Sequence, residues 1–348
     1  MSSPGGKKRR LEEPVAVSMA MPRSRYKLVG DYEKHAEVGR GTYGVVSVGV
    51  HRETRVKVAV KKVFGPADNG KREAEMLERC LGAPHVVQIV EVVEQADKVF
   101  LVLEYMESDL EELPVSHVKT YLHMLLLGVQ ELHGRGILHR DLKPNNVLLS
   151  ASQHVAKLTD FGMATLLDPP SVQDGTSPIK RSLQVVTRAY RSPELFFGEE
   201  HYGAEVDVWS VGCIFAELLL RRVFCDGASD IDQLSKLFAA LGSPDENGWS
   251  DAASLPFFLR FKPTNPTPLA EQFPMLSPAG VDLLSQLLQL DPRKRITVDA
   301  ALQHPFFTED PAPAPAEELV IQESPERQRQ TRSESEPDRV GIKGRRLL

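Results

Sequence analysis

Asp141, Lys143 and Asn146 lie in one run, H-R-D-L-K-P-N-N at 139 to 146, and Asp160, Phe161 and Gly162 begin fourteen residues after Asn146. An aspartate two residues before a lysine can accept or orient the proton of a hydroxyl nucleophile while the lysine stabilises charge on a transferring group. An asparagine amide and an aspartate carboxylate are hard oxygen donors. They suit Mg²⁺, which takes few protein ligands and completes its shell with water and phosphate oxygens. Alone, Asp141 could be a loop-capping aspartate; within this run the catalytic role outweighs that. His139 reads as a structural core histidine rather than a base or ligand.

The chemistry implied is phosphoryl transfer, so a phosphate cradle is required. Gly39, Gly41, Gly44 and Val46 supply G-R-G-T-Y-G-V-V, where missing Cβ atoms let backbone N–H groups approach phosphates. Such a pattern could equally open a dinucleotide-binding unit. Here it sits between strand-like runs around Val38 and Val45 to Val50 with no helix after it, which predicts a β-hairpin. The next strand, Val56 to Val63, carries V-A-V-K, placing Lys61 to reach the α/β-phosphates, with Lys62 on the other strand face and in solvent. Lys61 needs an acidic partner on the following helix. Glu73, Leu77 and Cys80 share one helical face, so Glu73 is the expected partner and Glu75 the second choice.

The elements that must hold these groups change character along the chain. Strand patterns dominate from about 30 to 105, including Val86 to Val93 and Val99 to Leu103. From about 115 the period is helical: Val118, Leu122, Leu125, Val129 and Leu132 step by 4, 3, 4, 3. Val206 to Leu220 is apolar nearly all round, as in a helix buried within a large domain. The reading is α+β and bilobal: a small β-rich N-lobe at 29–103, a hinge at 104–109 and a helical C-lobe at 110–308. Residues 1–28 read as a disordered basic tail and 309–348 as a second disordered tail.

Of 348 residues 26% are charged, and the net charge is −6, which argues against direct nucleic-acid binding. No apolar run approaches membrane-spanning length and no signal-peptide core opens the chain. Cys80, Cys213 and Cys225 sit in apolar contexts without C-x-x-C pairing and read as buried thiols. Lys7 to Arg10 form a basic run, either a nuclear-import signal or a solvated charge cluster. The expected compartment is the nucleus, with the cytoplasm second.

Over roughly residues 30 to 308 the chain resembles the eukaryotic protein kinases, and within them the cyclin-dependent kinases. The resemblance rests on the segments above and on Q-V-V-T-R-A-Y-R-S-P-E-L (184 to 195), D-V-W-S-V-G-C-I (207 to 214), D-I-D-Q-L (230 to 234), L-G-S-P (241 to 244) and D-P-R-K-R-I-T (291 to 297). M-E-S-D-L-E (106 to 111) and A-E-L-L-L-R (216 to 221) resemble the CDK-activating, transcription-factor-IIH branch. The resemblance implies a protein-kinase fold and a Ser/Thr kinase using ATP and Mg²⁺. It implies a cyclin-like regulatory subunit, substrates with Ser/Thr-Pro, and roles in activating cell-cycle kinases or phosphorylating the RNA polymerase II carboxy-terminal repeat.

By the same resemblance Leu103 is the gatekeeper, Glu104 and Met106 present backbone groups to adenine, Asp109 meets the ribose, and Ala59 and Leu148 sandwich the base. Thr187 bridges Asp141 and Lys143, and Glu194 pairs with Arg295. Asp207, which by itself could be a helix cap, anchors the catalytic-loop backbone. Val185, Val186 and Arg191 shape a site for proline. Thr42, Tyr43 and Ser182 are the candidate phosphorylation sites, with Arg140 and Arg72 receiving a Ser182 phosphate and Ser177 the alternative site.

The family tryptophan of W-Y-R is Ala189 here, the alanine of A-P-E is Ser192, and a usual arginine is Thr165; Lys180 or Arg181 could substitute for the last. The segment between Lys61 and Glu73 is short and the activation segment long. Two other functions compete: a pseudokinase scaffold, weighed against by intact Lys61, Asp141, Asn146 and Asp160, and a tyrosine kinase, weighed against by K-P-N-N.

Overall fold

The computed structural model describes residues 26–106, 108–109, 117–150, 154–167, 180–183 and 185–316. The basic run at Lys7 to Arg10, Ser177 and Gln184 lie outside them.

Strand-forming alternation in the first eighty described residues produces one antiparallel sheet. Its strands are β1 (Lys27–Val29), β2 (Tyr32–Arg40), β3 (Gly44–His51), β4 (Lys57–Val63), β5 (Ile89–Gln95) and β6 (Lys98–Glu104), in the order β1-β2-β3-β4-β6-β5. β2 and β3 form the hairpin whose turn carries the glycines, with Gly39 opposite Val46. Two departures from the alternation pattern occur here. The strand expected from Val86 begins only at Ile89, because Val86 and Val87 turn away to meet the other lobe. Val87 N donates to Leu158 O (2.9 Å) and Leu158 N to His85 O (2.8 Å). Lys62 does lie on the strand face opposite Lys61, but it is half-buried, its ammonium 5.8 Å from the Phe64 ring.

Helix α1 (Ala67–Arg79) lies between β4 and β5. Its buried stripe is Gly70, Glu73, Ala74 and Leu77, spaced to share one face. A Cβ on Gly70 would stand 2.6 Å from Val99 Cγ1, so the glycine is what allows α1 to lie this close to β6.

The second lobe is built on α2 (Val118–Gly134) and α4 (Glu205–Leu220), which pack on each other. α4 is buried from Val206 to Ala216, as its unbroken apolar character requires. Two small antiparallel pairings lie on this base. β8 (Ile137–Leu138) pairs with β11 (Thr165–Leu166), and β9 (Val147–Ser150) pairs with β10 (Val155–Leu158) and with β7 (Ser108–Asp109). The catalytic run lies between β8 and β9, and Asp160 to Gly162 between β10 and β11. The short helices α3 (Pro193–Phe196) and α6 (Leu269–Gln272) add to this lobe, and α5 (Asp230–Leu241), α7 (Pro278–Leu287) and α8 (Val298–Leu302) start on Ser229, Ser277 and Thr297. Each hydroxyl accepts a first-turn amide.

The domain limits read from sequence need two corrections. Residues 26–28 belong to the fold, since β1 starts at Lys27. Residues 309–316 are not free tail: Lys119 Nζ donates to Glu309 O and Pro311 O, and Thr120 Oγ1 to Ala314 O, tying them along α2. Proline-rich composition suggested disorder, but three carbonyls of this segment find donors on one helix.

Arg295 pairs with Glu194 through two bonds (2.7 and 3.0 Å), donates to the carbonyls of Glu205 and Gln289, and lies 5.0 Å from the Trp209 ring. Both side chains are essentially inaccessible. Removing one partner of such a pair leaves an uncompensated buried charge. Arg295→Ala should lower the unfolding free energy by about 3–5 kcal/mol in urea titrations; a loss below about 1 kcal/mol, the level of an exposed pair, would show that the pair does not hold the lobe.

Candidate active site

Three charges meet where the lobes face each other. Lys61 Nζ on β4 lies 2.5 Å from Glu73 Oε1 on α1 and 2.6 Å from Asp160 Oδ1 after β10. Glu75, the second choice, instead binds Arg79 on the exposed face of α1. Burial would lower the Lys61 ammonium, but the two carboxylates outweigh it and raise it above its ordinary value. Burial would likewise raise the Asp160 carboxyl; Lys61, with smaller help from His139 and Lys143, holds it below the ordinary range. For Glu73 burial prevails and pushes its carboxyl up.

Asp141 is buried and fully engaged. Oδ1 accepts the amide (3.1 Å) and hydroxyl (2.8 Å) of Thr187, and Oδ2 accepts Lys143 Nζ (2.7 Å), which also reaches Thr187 Oγ1 at 3.3 Å. Asn146 Nδ2 donates to Asp141 O at 2.7 Å, so its side-chain oxygen is the atom left for a cation. The catalytic loop is held from below by Asp207. Its carboxylate accepts the amides of His139 and Arg140 at 2.9 Å each and contacts His133 Nε2 at 3.0 Å. Burial would raise the Asp207 carboxyl; His133, His139 and the Arg140 amide together hold it below the ordinary range. Asp207 thus anchors the loop backbone rather than capping α4.

His139 is fully buried and packs 5.2 Å from the Phe161 ring. Nδ1 accepts the Asp141 amide (3.2 Å), so Nε2 carries the proton and donates to Thr159 O (2.9 Å). With both nitrogens used, it is a structural residue.

A cleft of about 430 Å³ runs from this cluster beneath the glycine loop. Val38, Gly39, Gly41, Gly44, Val46, Ala59, Leu103, Glu104, Met106 and Leu148 line it, together with Lys61, Lys143, Asn146 and Asp160. Ala59 and Leu103 are direct cross-strand neighbours in β4 and β6. The backbone of Asp109 pairs with Leu148 at the cleft's outer end. The Gly44 position admits no side chain, since a Cβ there would stand 2.5 Å from Lys62 O. Glu104 carries a contact not foreseen from sequence: its carboxylate takes Lys157 Nζ at 2.8 and 2.9 Å and the Gln88 amide at 2.8 Å, fixing the hinge entry. Lys157 is an isolated lysine in a short strand, with no local signal of that role.

The donor set fits Mg²⁺ with a nucleoside triphosphate. Among the described residues no cluster of three or more His, Cys, Asp or Glu side chains stands ready to hold a metal. One carboxylate (Asp160) and one amide (Asn146) at the mouth of a cleft are what an ion shared with phosphate oxygens requires.

Residues 32–307 match the protein kinase domain family. Cyclin-dependent kinase D-1 of Arabidopsis thaliana is 40% identical over 301 residues, covering 82% of this chain and 73% of that protein. Cyclin-dependent kinase 7 of Dictyostelium discoideum is 39% identical over 295 residues, covering 80% of this chain and 79% of that protein. A chain in the structure of the CAK complex of Chaetomium thermophilum bound to ATP-γ-S superposes with a TM-score of 0.74 at 35% identity, covering 83% of this chain and 94% of that chain. The chain belongs to the protein kinase family. Its relatives place it among the cyclin-dependent kinases, and ATP is its cofactor.

The regulatory candidates of this kinase fall in different settings. Thr42 is exposed at the tip of the glycine loop. Tyr43 is turned inward and lies against Gly162, where an added Cβ would stand 3.1 Å from Tyr43 Cγ. Its burial and the nearby charges of Asp141 and Asp160 raise its hydroxyl above the ordinary value. A phosphate there would be repelled by both carboxylates. The Ser182 side chain is exposed. Lys180 and Arg181, the expected substitutes for the missing arginine at Thr165, are committed elsewhere. Lys180 pairs with Glu200 at 2.8 Å, and Arg181 is buried with NH1 on Tyr202 O at 2.8 Å.

Lys61→Met and Asp160→Asn should each lower phosphoryl transfer by about 10²–10³ or more while the chain remains folded by circular dichroism. Retention of more than about a tenth of the turnover would remove the residue from the assigned role. Gly70→Ala should push α1 off Val99 and unseat Glu73 at an overpacking cost of about 1–3 kcal/mol. Measured kcat should fall with it, and an unchanged kcat would show that α1 tolerates the displacement.

Proposed function

We propose that this kinase transfers the γ-phosphoryl of Mg-ATP to Ser or Thr followed by proline in protein substrates, under control of a cyclin-like subunit. The observation that carries the reading is the Asp141–Thr187–Lys143 cluster standing beside Lys61 and Asp160. Asp141 would orient the acceptor hydroxyl, Lys143 would meet charge on the transferring group, and Asn146 and Asp160 would hold Mg²⁺ against the triphosphate. Bound Mg²⁺ supplies charge neutralisation on the phosphates. Catalysis here is positioning and electrostatics rather than covalent chemistry.

Preference for proline is supported by the backbone next to Thr187. Val186 adopts φ +65°, and Arg191 holds the carbonyls of Val185 (Nε, 3.0 Å) and Val186 (NH2, 3.0 Å). A carbonyl drawn to Arg191 does not face the substrate, so the residue after the acceptor finds no partner for an N–H. Proline, which has none, loses nothing there.

The cyclin-like subunit is inferred from the relatives, one of which is solved within the CAK complex. Its surface on this chain would be the outer face of α1 with Leu81 and Val90, which flank that helix and are 56% and 54% exposed. The subunit would act by holding α1 where Glu73 pairs with Lys61. Purified monomer should phosphorylate a Ser-Pro peptide weakly, and a cognate cyclin should stimulate it within the about 5- to 150-fold range usual for coupled sites. Full activity of monomer alone would remove the subunit from the proposal. An Ala-for-Pro peptide phosphorylated equally well would remove the proline preference.

A further inference from the structure

We propose that Tyr202 is a positioning residue: its neutral hydroxyl ties the activation segment to the catalytic loop at the point where a phosphate on Ser182 would act. This rests on the kinase reading above and deepens it.

Arg140 directly precedes Asp141, has φ +64°, and is held by Asp207 through its amide. Its guanidinium donates Nε–H to Met163 O (2.7 Å) and NH1 to the Tyr202 hydroxyl (3.1 Å). That hydroxyl in turn donates to Ser182 O (2.7 Å). One phenol can accept and donate at once, so the chain of bonds Arg140–Tyr202–Ser182 is complete without added charge. Arg181 doubles the tie through its bond to Tyr202 O, and its own amide donates to Glu200 O at 2.9 Å. Tyr202 is 1% exposed, so this bridge is shielded from competing water.

The bridge has a mechanical consequence. Five residues after Ser182, Thr187 meets Asp141 directly. Residues 182 and 187 are therefore both attached to the Arg140–Asp141 dipeptide, and the segment between them, which includes Val185 and Val186, is held at both ends. The cations available to a phosphate are few. Lys180 and Arg181 are engaged, Thr165 replaces a third, and Arg72 is exposed on α1 with no hydrogen bond or ion pair among the described residues. A Ser182 phosphate thus adds to a bridge already made.

The test uses the full chain, freed of phosphate. Tyr202→Phe keeps the buried ring and removes only the hydroxyl. It should reduce kcat/KM for a Ser-Pro peptide by about 10- to 100-fold, the loss of a buried hydrogen bond to a charged group, while KM for ATP stays within about twofold. Hydrogen exchange at the amides of residues 181 to 187 should accelerate in parallel. Phosphoserine encoded at position 182 should restore the variant to near wild type and raise wild type by less than about threefold. Arg181→Met, which leaves the hydroxyl bridge intact, should lose less than Tyr202→Phe. The proposal is overturned if Tyr202→Phe matches wild type in both rate and exchange, if phosphoserine raises both proteins equally, or if Arg181→Met loses as much. Should wild type transfer no phosphoryl group, the kinase reading fails while the exchange comparison still decides the bridge.

Discussion

A buried lysine with two carboxylates, one from each lobe, is the constraint around which this molecule is organised. An ammonium as inaccessible as that of Lys61 is tolerated only when paired and hydrogen-bonded. Glu73 supplies one partner from α1 and Asp160 the other from the segment after β10. Both lobes must therefore be in register for the charge to be satisfied, and the cleft that admits a nucleotide is the gap left when they are. Gly70 shows how far the packing is bent to this requirement. A larger residue at that position would collide with Val99 and move Glu73 away from the lysine.

Asp207 does for the catalytic loop what Glu73 does for Lys61. Its carboxylate sits at the start of α4, wholly buried, and takes two consecutive amides together with His133. Arg140, held in a left-handed conformation, could not persist without such over-determination, since each such non-glycine residue costs on the order of 1–3 kcal/mol. From that fixed Arg140–Asp141 pair the site extends upward to Thr187 and outward to Tyr202. The rigid element is the apolar α4, and the chemistry is carried on loops attached to it.

The parts legible in sequence are those whose residue types state their own geometry. The alternation on either side of the glycine turn specifies the β2–β3 hairpin, and period-2 side-chain placement separates Lys61 from Lys62. Glu73 is distinguished from Glu75 because only Glu73 shares the buried stripe of α1. What was not legible depends on partners far along the chain. Lys157 reaches Glu104, 53 residues away, and Tyr202 reaches Arg140, 62 residues away. Neither stands in a pattern of its own. Val86 and Val87 alternate like a strand yet bind the loop around Leu158, because an inter-lobe contact overrode local propensity. The segment 309–316 looked like tail for the same reason: its order comes from Lys119 and Thr120, not from its own composition.

The proline preference proposed above rests on backbone strain and not on a shaped side-chain pocket. A valine with φ +65° costs on the order of 1–3 kcal/mol. Two bonds from one guanidinium to the carbonyls of Val185 and Val186, each worth about 1.5–3 kcal/mol, are enough to offset it. Burial pulls the Arg191 guanidinium below its ordinary value and Asp230 opposes this. Asp230 lies 3.7 Å from Arg191 and takes Arg188 Nε at 2.9 Å, so the start of α5 braces the guanidinium. The strained conformation is therefore maintained electrostatically, and under the proposed preference a substrate would meet it as a missing acceptor.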